Sequence, residues 1–275
     1  MTVLLYCFIM IEKILDPYIL SGAAGMLFSA LIVYYLGQKR PYVKGYLILG
    51  YLSAIIGMFI GAHLLFFIVG LPDFISSYKD TVYSVQSFIN AVLNASSGMV
   101  FYGGLLGAML GVIIYCRVSH INGRTYMNIA SCAFPMLHAF GRIGCALGGC
   151  CYGIEYHGLF AIQYTAAQIK PGISDHIADF PRFPVQPMEA LIEFLICFIM
   201  IRIYLKYENR YSIAAIYLFT YGIVRFSDEF LRGDVIRGLW GPFSTSQWIA
   251  LFCIIGTVIY FISKRLSLKK NVAEG

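Results

Sequence analysis

The chain has 275 residues, of which 59% are hydrophobic and only 12% charged, with a formal net charge of +6. Soluble domains carry roughly a quarter charged residues, so this balance excludes an ordinary soluble protein. With apolar runs long enough to cross a bilayer it marks an integral membrane protein. The positive charge does not call for nucleic acid, because excess Lys and Arg in such proteins gathers in cytoplasmic loops.

The chain opens on MTVLLYCFIMIEKILDPY. This stretch lacks a basic n-region and a small-residue cleavage site, so an arm at the outer surface is expected rather than a cleaved signal peptide. Apolar runs then predict about seven spanning helices, at about 18–37, 46–70, 98–116, 126–142, 184–206, 212–228 and 243–263. Lys39, Arg40 and Lys44 follow the first span, and Arg117 and Arg124 the third. Arg202, Lys206 and Arg210 follow the fifth, and Lys264, Arg265, Lys269 and Lys270 the seventh. Every second connection is therefore basic, which puts the N-terminus outside and the C-terminus in the cytoplasm. The expected fold is an all-α, multi-pass membrane protein forming a single transmembrane domain over residues 1–275. Its larger outer segments are about 71–97 and 143–183, and the second is expected to form a small head.

Of the eight cysteines, Cys7, Cys116, Cys132, Cys197 and Cys253 lie in apolar runs and read as inert small hydrophobes. Cys145, Cys150 and Cys151 sit in HAFGRIGCALGGCCYG, residues 138–153, which the topology puts at the outer face. With His138 they match no familiar zinc spacing, so a structural or redox role is expected and no metal or other cofactor. Gly144 with Gly148, Gly149 with Gly153, and Gly103, Gly107 and Gly111 have the spacing of small-residue helix packing.

Polar residues inside spans are costly and are functional candidates. Counted from the outer ends, Ser21, His63, Tyr102, Arg142, Gln186, Glu189, Arg225, Glu229 and Gln247 all fall in the outer half of the bilayer. Arg225 and Glu229 are i,i+4 neighbours, and Arg232 is expected on the same face. A planar, permanently charged guanidinium suits a phosphate oxygen, and Arg142 supplies a second at similar depth. Two arginines at that level point to a phospholipid headgroup. His63 alone reads more often as an interior hydrogen-bonded histidine than as a base.

These stretches resemble the bacterial prolipoprotein diacylglyceryl transferases, and the likeness covers most of the chain in order. FYGGLLG (101–107) is similar to that family's F-H-G-G-x-x-G, and GRIGCALGGCCYG (141–153) to G-R-x-G-N-F-x-N-x-E-x-x-G. PVQPMEALIE (184–193) resembles P-S-Q-L-Y-E-x-x-x-E, and YGIVRFSDEFLRGD (221–234) with STSQ (244–247) resembles Y-G-x-x-R-F-x-x-E-F-x-R-x-D and S-x-G-Q. The resemblance implies transfer of the diacylglyceryl group of phosphatidylglycerol to the lipobox cysteine thiol of preprolipoproteins, releasing glycerol phosphate. It places such a protein in the bacterial plasma membrane, with the bilayer, phosphatidylglycerol and preprolipoprotein signal peptides as its partners. Arg142 and Arg225 match the family's two key arginines and would hold the phosphate, with Glu189 and Glu229 orienting them. Gln186 and Gly153 match further substrate-binding positions.

Several positions depart from the pattern. Tyr102 stands where the family has histidine, Cys145 and Gly148 replace asparagines, and Cys150 replaces the glutamate. Ser21-Gly22 stands for a Tyr-Gly, and His63 for an arginine. A tyrosine with a pKa near 10 is a poor resting base. Either His63 has taken over proton handling, or the chain is a divergent member with another acceptor, or a non-catalytic lipid-binding protein. A transporter lacks support, since no paired repeats or broken helices are evident. A retinal-type receptor would need an interior lysine that the last span does not have. The topology is checked by labelling engineered thiols from outside in a background lacking native cysteines. A thiol at Lys170 should react and one at Asn209 should not; the reverse would invert the orientation.

Overall fold

The computed structural model describes residues 16–41, 43–81, 86, 88–89, 92, 98–169, 175–207, 212–234 and 239–273. The predicted N-terminal arm, most of 82–97, and Cys7, Lys170 and Asn209 lie outside the described residues. Seven long helices are described: α1 (Pro17–Gln38), α2 (Leu47–Thr81), α3 (Phe101–Val118), α4 (Gly123–Leu147), α5 (Val185–Tyr207), α6 (Ile213–Asp228) and α7 (Thr245–Ala273). Each predicted span falls on one of them. Among the described residues α1, α2, α3, α4 and α7 contain stretches long and apolar enough to cross a membrane. The other two fall short for physical reasons: α5 carries Glu189, Glu193, Arg202 and Lys206, and α6 has only 16 residues. The chain is an all-α membrane protein.

Two compact units divide it, one built from the chain up to Ile32 and from Ser131 onward, the other from Val33–Ala130. In the second unit, α2 and α3 approach backbone to backbone. A Cβ at Gly107 would fall on the carbonyl oxygen of Gly57, and one at Gly61 on that of Gly103. Ser53 donates its hydroxyl to the Gly111 carbonyl at 2.7 Å, so the predicted small-residue packing of Gly103, Gly107 and Gly111 is realised here. Tyr126, at the start of α4, is fully buried and donates to the Leu47 carbonyl at 2.9 Å.

In the first unit Ser21 donates to the Phe140 carbonyl at 2.6 Å, and Phe28 stacks on Phe140 with ring centroids 5.3 Å apart. Cys132 and Cys197 are buried, and the Cys197 thiol donates to the Cys132 carbonyl at 3.3 Å. They behave as the small hydrophobes expected of them.

Helix α4 ends at Leu147, five residues beyond its predicted end. Nothing in RIGCAL breaks a helix; the break comes at Gly148-Gly149, where Gly149 takes φ +64° as a left-handed C-terminal cap. The glycines after Leu147 therefore serve turns and close approaches rather than helix packing. Gly153 lies against the Phe183 backbone and pairs with Arg232 through an antiparallel bridge.

Beyond α4, the described residues of 148–183 pack into a small head of turns and bridges. Its core is Tyr152, Tyr164 and Ile177, with Ile162 and Ile169 packed against it. Arg182 and Ile162 exchange backbone hydrogen bonds of 2.8 and 2.9 Å, while Ile154 N–H bonds the Leu231 carbonyl and Gly233 N–H the Tyr152 carbonyl, both at 2.9 Å. The head is thus stitched to the chain leaving α6. That helix is capped by Ser212 and tightens into a 3-10 turn at Glu229–Leu231 before Arg232 becomes extended. Arg232 therefore leaves the helical face it was expected to share with Arg225. A two-residue hairpin (β1, Leu239–Trp240; β2, Phe243–Ser244) then leads into α7.

Candidate active site

In the first unit, α4 presents His138 and Arg142 one turn apart, and α5 presents Gln186, Glu189 and Glu193 along one face, at i, i+3 and i+7. The two faces meet rung by rung. Arg142 Nε lies 2.7 Å from Glu189 Oε2, and His138 Nδ1 lies 3.1 Å from Glu193 Oε1. His138 Nε2 also reaches Glu189 Oε1 at 3.6 Å. All four side chains are buried, the two carboxylates completely.

Helix α6 and the 3-10 turn after it add a stripe at four-residue spacing: Tyr217, Tyr221 and Arg225 on the helix and Glu229 in the turn. Tyr217 hydroxyl lies 3.4 Å from His138 Nδ1 and 3.5 Å from Glu193 Oε2. Its ring stacks on that of Tyr221, which meets the His138 imidazole edge-on at 5.0 Å. Arg225 Nη2 contacts Glu229 Oε2 at 2.8 Å and donates to Ser246 Oγ, at the start of α7, at 3.3 Å. Gln247 holds that helix start: the Ser244 N–H donates to its Oε1 at 3.0 Å, and its own N–H donates to Ser244 Oγ at 3.2 Å.

Both arginines are neutralised by a carboxylate, as a buried charge must be. The Arg142–Glu189 contact is short but poorly aligned, so the N–H directions are not used up. Arg142 is only 6% exposed, and its Nε and Nη2 are buried without a hydrogen-bond partner among the described residues. A guanidinium held in place by charge, with N–H groups still to be satisfied, is prepared for an anionic oxygen ligand.

The head closes over the same end. Gln186 donates to the Cys150 carbonyl and to the Tyr164 hydroxyl, both at 2.9 Å. Burial raises the Tyr164 pKa, keeping the hydroxyl neutral and able to accept. Arg232 is buried and paired with Asp234 through Nε at 2.8 Å and through Nη2. Cys145, Cys150 and Cys151 have Sγ atoms that all lie within 4.8 Å of one another, and none of the described cysteines is in a disulfide. The Cys151 thiol is held well below the ordinary thiol range by side-chain hydrogen bonds from Cys145 and Cys150, and then by Arg232 and Arg142.

The structure therefore unites Arg142, Gln186, Glu189, Arg225, Glu229 and Gly153 in one unit. His63, half-buried on α2, and Tyr102, buried near the start of α3, belong to the other. Sequence reasoning passed over His138, Glu193 and Tyr217 as site residues. The signal was present in two i,i+4 pairs, His138/Arg142 and Glu189/Glu193, whose charges complement each other once the helices face. Asp228, also buried with an unbonded Oδ2, gave no such signal.

Buried arginine–carboxylate pairs thus lie together in the helical bundle of a membrane protein, beside a small head. Residues 8–263 match the family described as prolipoprotein diacylglyceryl transferase, and the chain belongs to that family. It is 28% identical over 239 residues to the phosphatidylglycerol–prolipoprotein diacylglyceryl transferase of Clostridium tetani (strain Massachusetts / E88), covering 87% of this chain and 89% of the relative. It is 27% identical over 250 residues to the second such transferase of Clostridium perfringens (strain 13 / Type A), covering 91% of each. The transferase of the Wolbachia of Culex pipiens is 25% identical over 250 residues, 88% of each chain.

The Arg142–Glu189 pair is testable by a double-mutant cycle read by thermal unfolding in detergent. Removing one partner of a buried pair costs about 3–5 kcal/mol, so Glu189→Leu and Arg142→Met should each lower stability by that order. The double variant should lose less than the sum of the two; full additivity would show that the contact is not energetic.

Proposed function

We propose that the chain transfers the diacylglyceryl group of phosphatidylglycerol to the lipobox cysteine thiol of preprolipoproteins, a reading supported by its family and by the motifs that resemble it. The observation that carries this reading is Arg142, buried against Glu189 with N–H groups left for an anion. In the reaction the thiol sulfur bonds to the terminal glyceryl carbon as the carbon–oxygen bond to phosphate breaks. Glycerol phosphate leaves with the electron pair. Charge accumulates on that phosphate, and Arg142 and Arg225 stabilise it with preorganised donors in a medium poor in water. Glu189 and Glu229 keep each guanidinium in position, and Gln186 and Gly153 fix the head above it.

Proton handling is assigned to His63, since position 102 is a tyrosine and an imidazole nitrogen is a chemically suitable acceptor for a thiol proton. Tyr102 is assigned a hydrogen bond to the lipid. The protein spans the bacterial plasma membrane seven times, with the N-terminus outside and the site facing the outer leaflet. Both the distribution of basic loops and the depth of the polar residues support that orientation.

Replacing Arg142 or Arg225 by Lys keeps the charge but removes the bidentate fork. Each change should lower transfer to a lipobox peptide by about 100-fold, the scale of losing one preorganised donor. His63→Gln should greatly slow transfer, while Tyr102→Phe should weaken lipid binding more than turnover. Near-normal rates in both Lys variants would refute the phosphate assignment. An unchanged rate in His63→Gln would refute the base.

A further inference from the structure

The three thiols at the end of α4 are not used by the reading above, and their arrangement asks for an occupant. Cys145 sits on the last turn of the helix, and Cys150 and Cys151 lie just beyond it. The chain is folded back on itself between them: Gly148 N–H bonds the Gly144 carbonyl at 2.8 Å and Cys150 N–H the Cys145 carbonyl at 3.1 Å. Gly149 takes φ +64° and Cys151 takes φ +56°. Glycine adopts that conformation readily, but for Cys151 it is strained, and such strain gathers at functional sites. The result is that all three Sγ atoms lie within 4.8 Å of one another, each partly buried. A tetrahedral zinc with Zn–S bonds of about 2.3 Å needs sulfurs about 3.8 Å apart, a closure of side chains and not of backbone.

Three thiols suit a metal better than a disulfide. One disulfide would leave a thiol over, and the adjacent pair Cys150–Cys151 would have to close a strained ring. A thiophilic divalent cation uses all three and leaves one of four tetrahedral positions open, the pattern of reactive rather than structural zinc sites.

We infer that Cys145, Cys150 and Cys151 form a trithiolate site for zinc whose open position takes the acceptor cysteine of the incoming peptide. This rests on the transfer reading above and supplies what its departures left wanting. A metal-bound thiol is deprotonated outright, so the nucleophile would be prepared beside Arg142 in a chain that has Tyr102 in place of the family's histidine. In the step, the acceptor S–H gives up its proton on coordination, and the proton passes through water to the base assigned above. The sulfur then forms the carbon–sulfur bond as the carbon–oxygen bond breaks, and the glycerol phosphate departs with the pair. Zinc changes neither oxidation state nor count.

The test uses the reduced full-length protein in detergent, titrated with Co(II) as the visible probe and with no lipid present. A sulfur-to-cobalt charge-transfer band should saturate at one metal per chain and disappear when the three cysteines are replaced by serine. A lipobox peptide with cysteine should then shift the cobalt bands, while its serine counterpart should not. No band in the native protein, or a band that survives in the serine variant, overturns the site. A band indifferent to the cysteine peptide overturns the open position. Transfer itself is measured separately, after stripping with a chelator and again after adding Zn(II). At pH 7 stripping should slow it by up to about 30-fold, the ratio of a full thiolate to a free thiol of pKa about 8.5. Undiminished transfer by stripped protein that shows no cobalt band sinks the metal site and leaves the transfer reading standing. A peptide-responsive cobalt band without any transfer does the opposite.

Discussion

The contact between Arg142 and Glu189 is the constraint on which the site depends. A guanidinium cannot shed its charge, so burying it inside an apolar bundle demands a carboxylate at contact distance. Glu189, fully buried on the facing helix, provides it at 2.7 Å. The same contact fixes how α4 and α5 face, because His138 and Glu193 fall into register one turn further along. Tyr217 and Tyr221 of α6 then pack on His138 and bring Arg225 to the same unit. The pair neutralises the charge without using all of its hydrogen-bonding capacity. That surplus makes a structural ion pair serviceable for binding phosphate.

The head depends on this arrangement and also limits it. Gln186, one turn before Glu189, is spent on the Cys150 carbonyl and the Tyr164 hydroxyl. It therefore anchors the loop beyond α4 to the start of α5. The bridge between Gly153 and Arg232, with the backbone bonds of Ile154 and Gly233, ties that loop to the end of α6. The ends of α4 and α6 and the start of α5 are thereby held together. Gly153 has a defined part: any side chain there would meet the Phe183 backbone.

Much of this is legible in the sequence, for identifiable reasons. The helices were readable because apolar runs have one physical meaning in a membrane protein, and all seven predicted runs became helices. Arg142, Glu189, Arg225 and Glu229 were readable because charge in an apolar run must be explained. His138 was harder, since a single histidine in HAFGR shows no partner until Glu193 is brought opposite from 55 positions away. The sequence misled at Arg232, where the i,i+7 spacing from Arg225 assumed a helix that in fact ends at Asp228. It misled again at Gly148, Gly149 and Gly153, whose spacing imitates helix packing but serves turns. The thiol cluster was unreadable because Cys145, Cys150 and Cys151 come together only through the left-handed turns between them.

The central claim is that the buried arginines hold a phosphate that leaves as a thiol takes its place. It is tested most directly with the purified chain in phosphatidylglycerol vesicles labelled in the headgroup glycerol, together with a lipobox peptide. The account predicts that labelled glycerol phosphate is released in amounts equal to the diacylglyceryl thioether formed on the peptide, and that a peptide with serine for the lipobox cysteine releases none. Release that ignores the cysteine, or no release with either peptide, would contradict it.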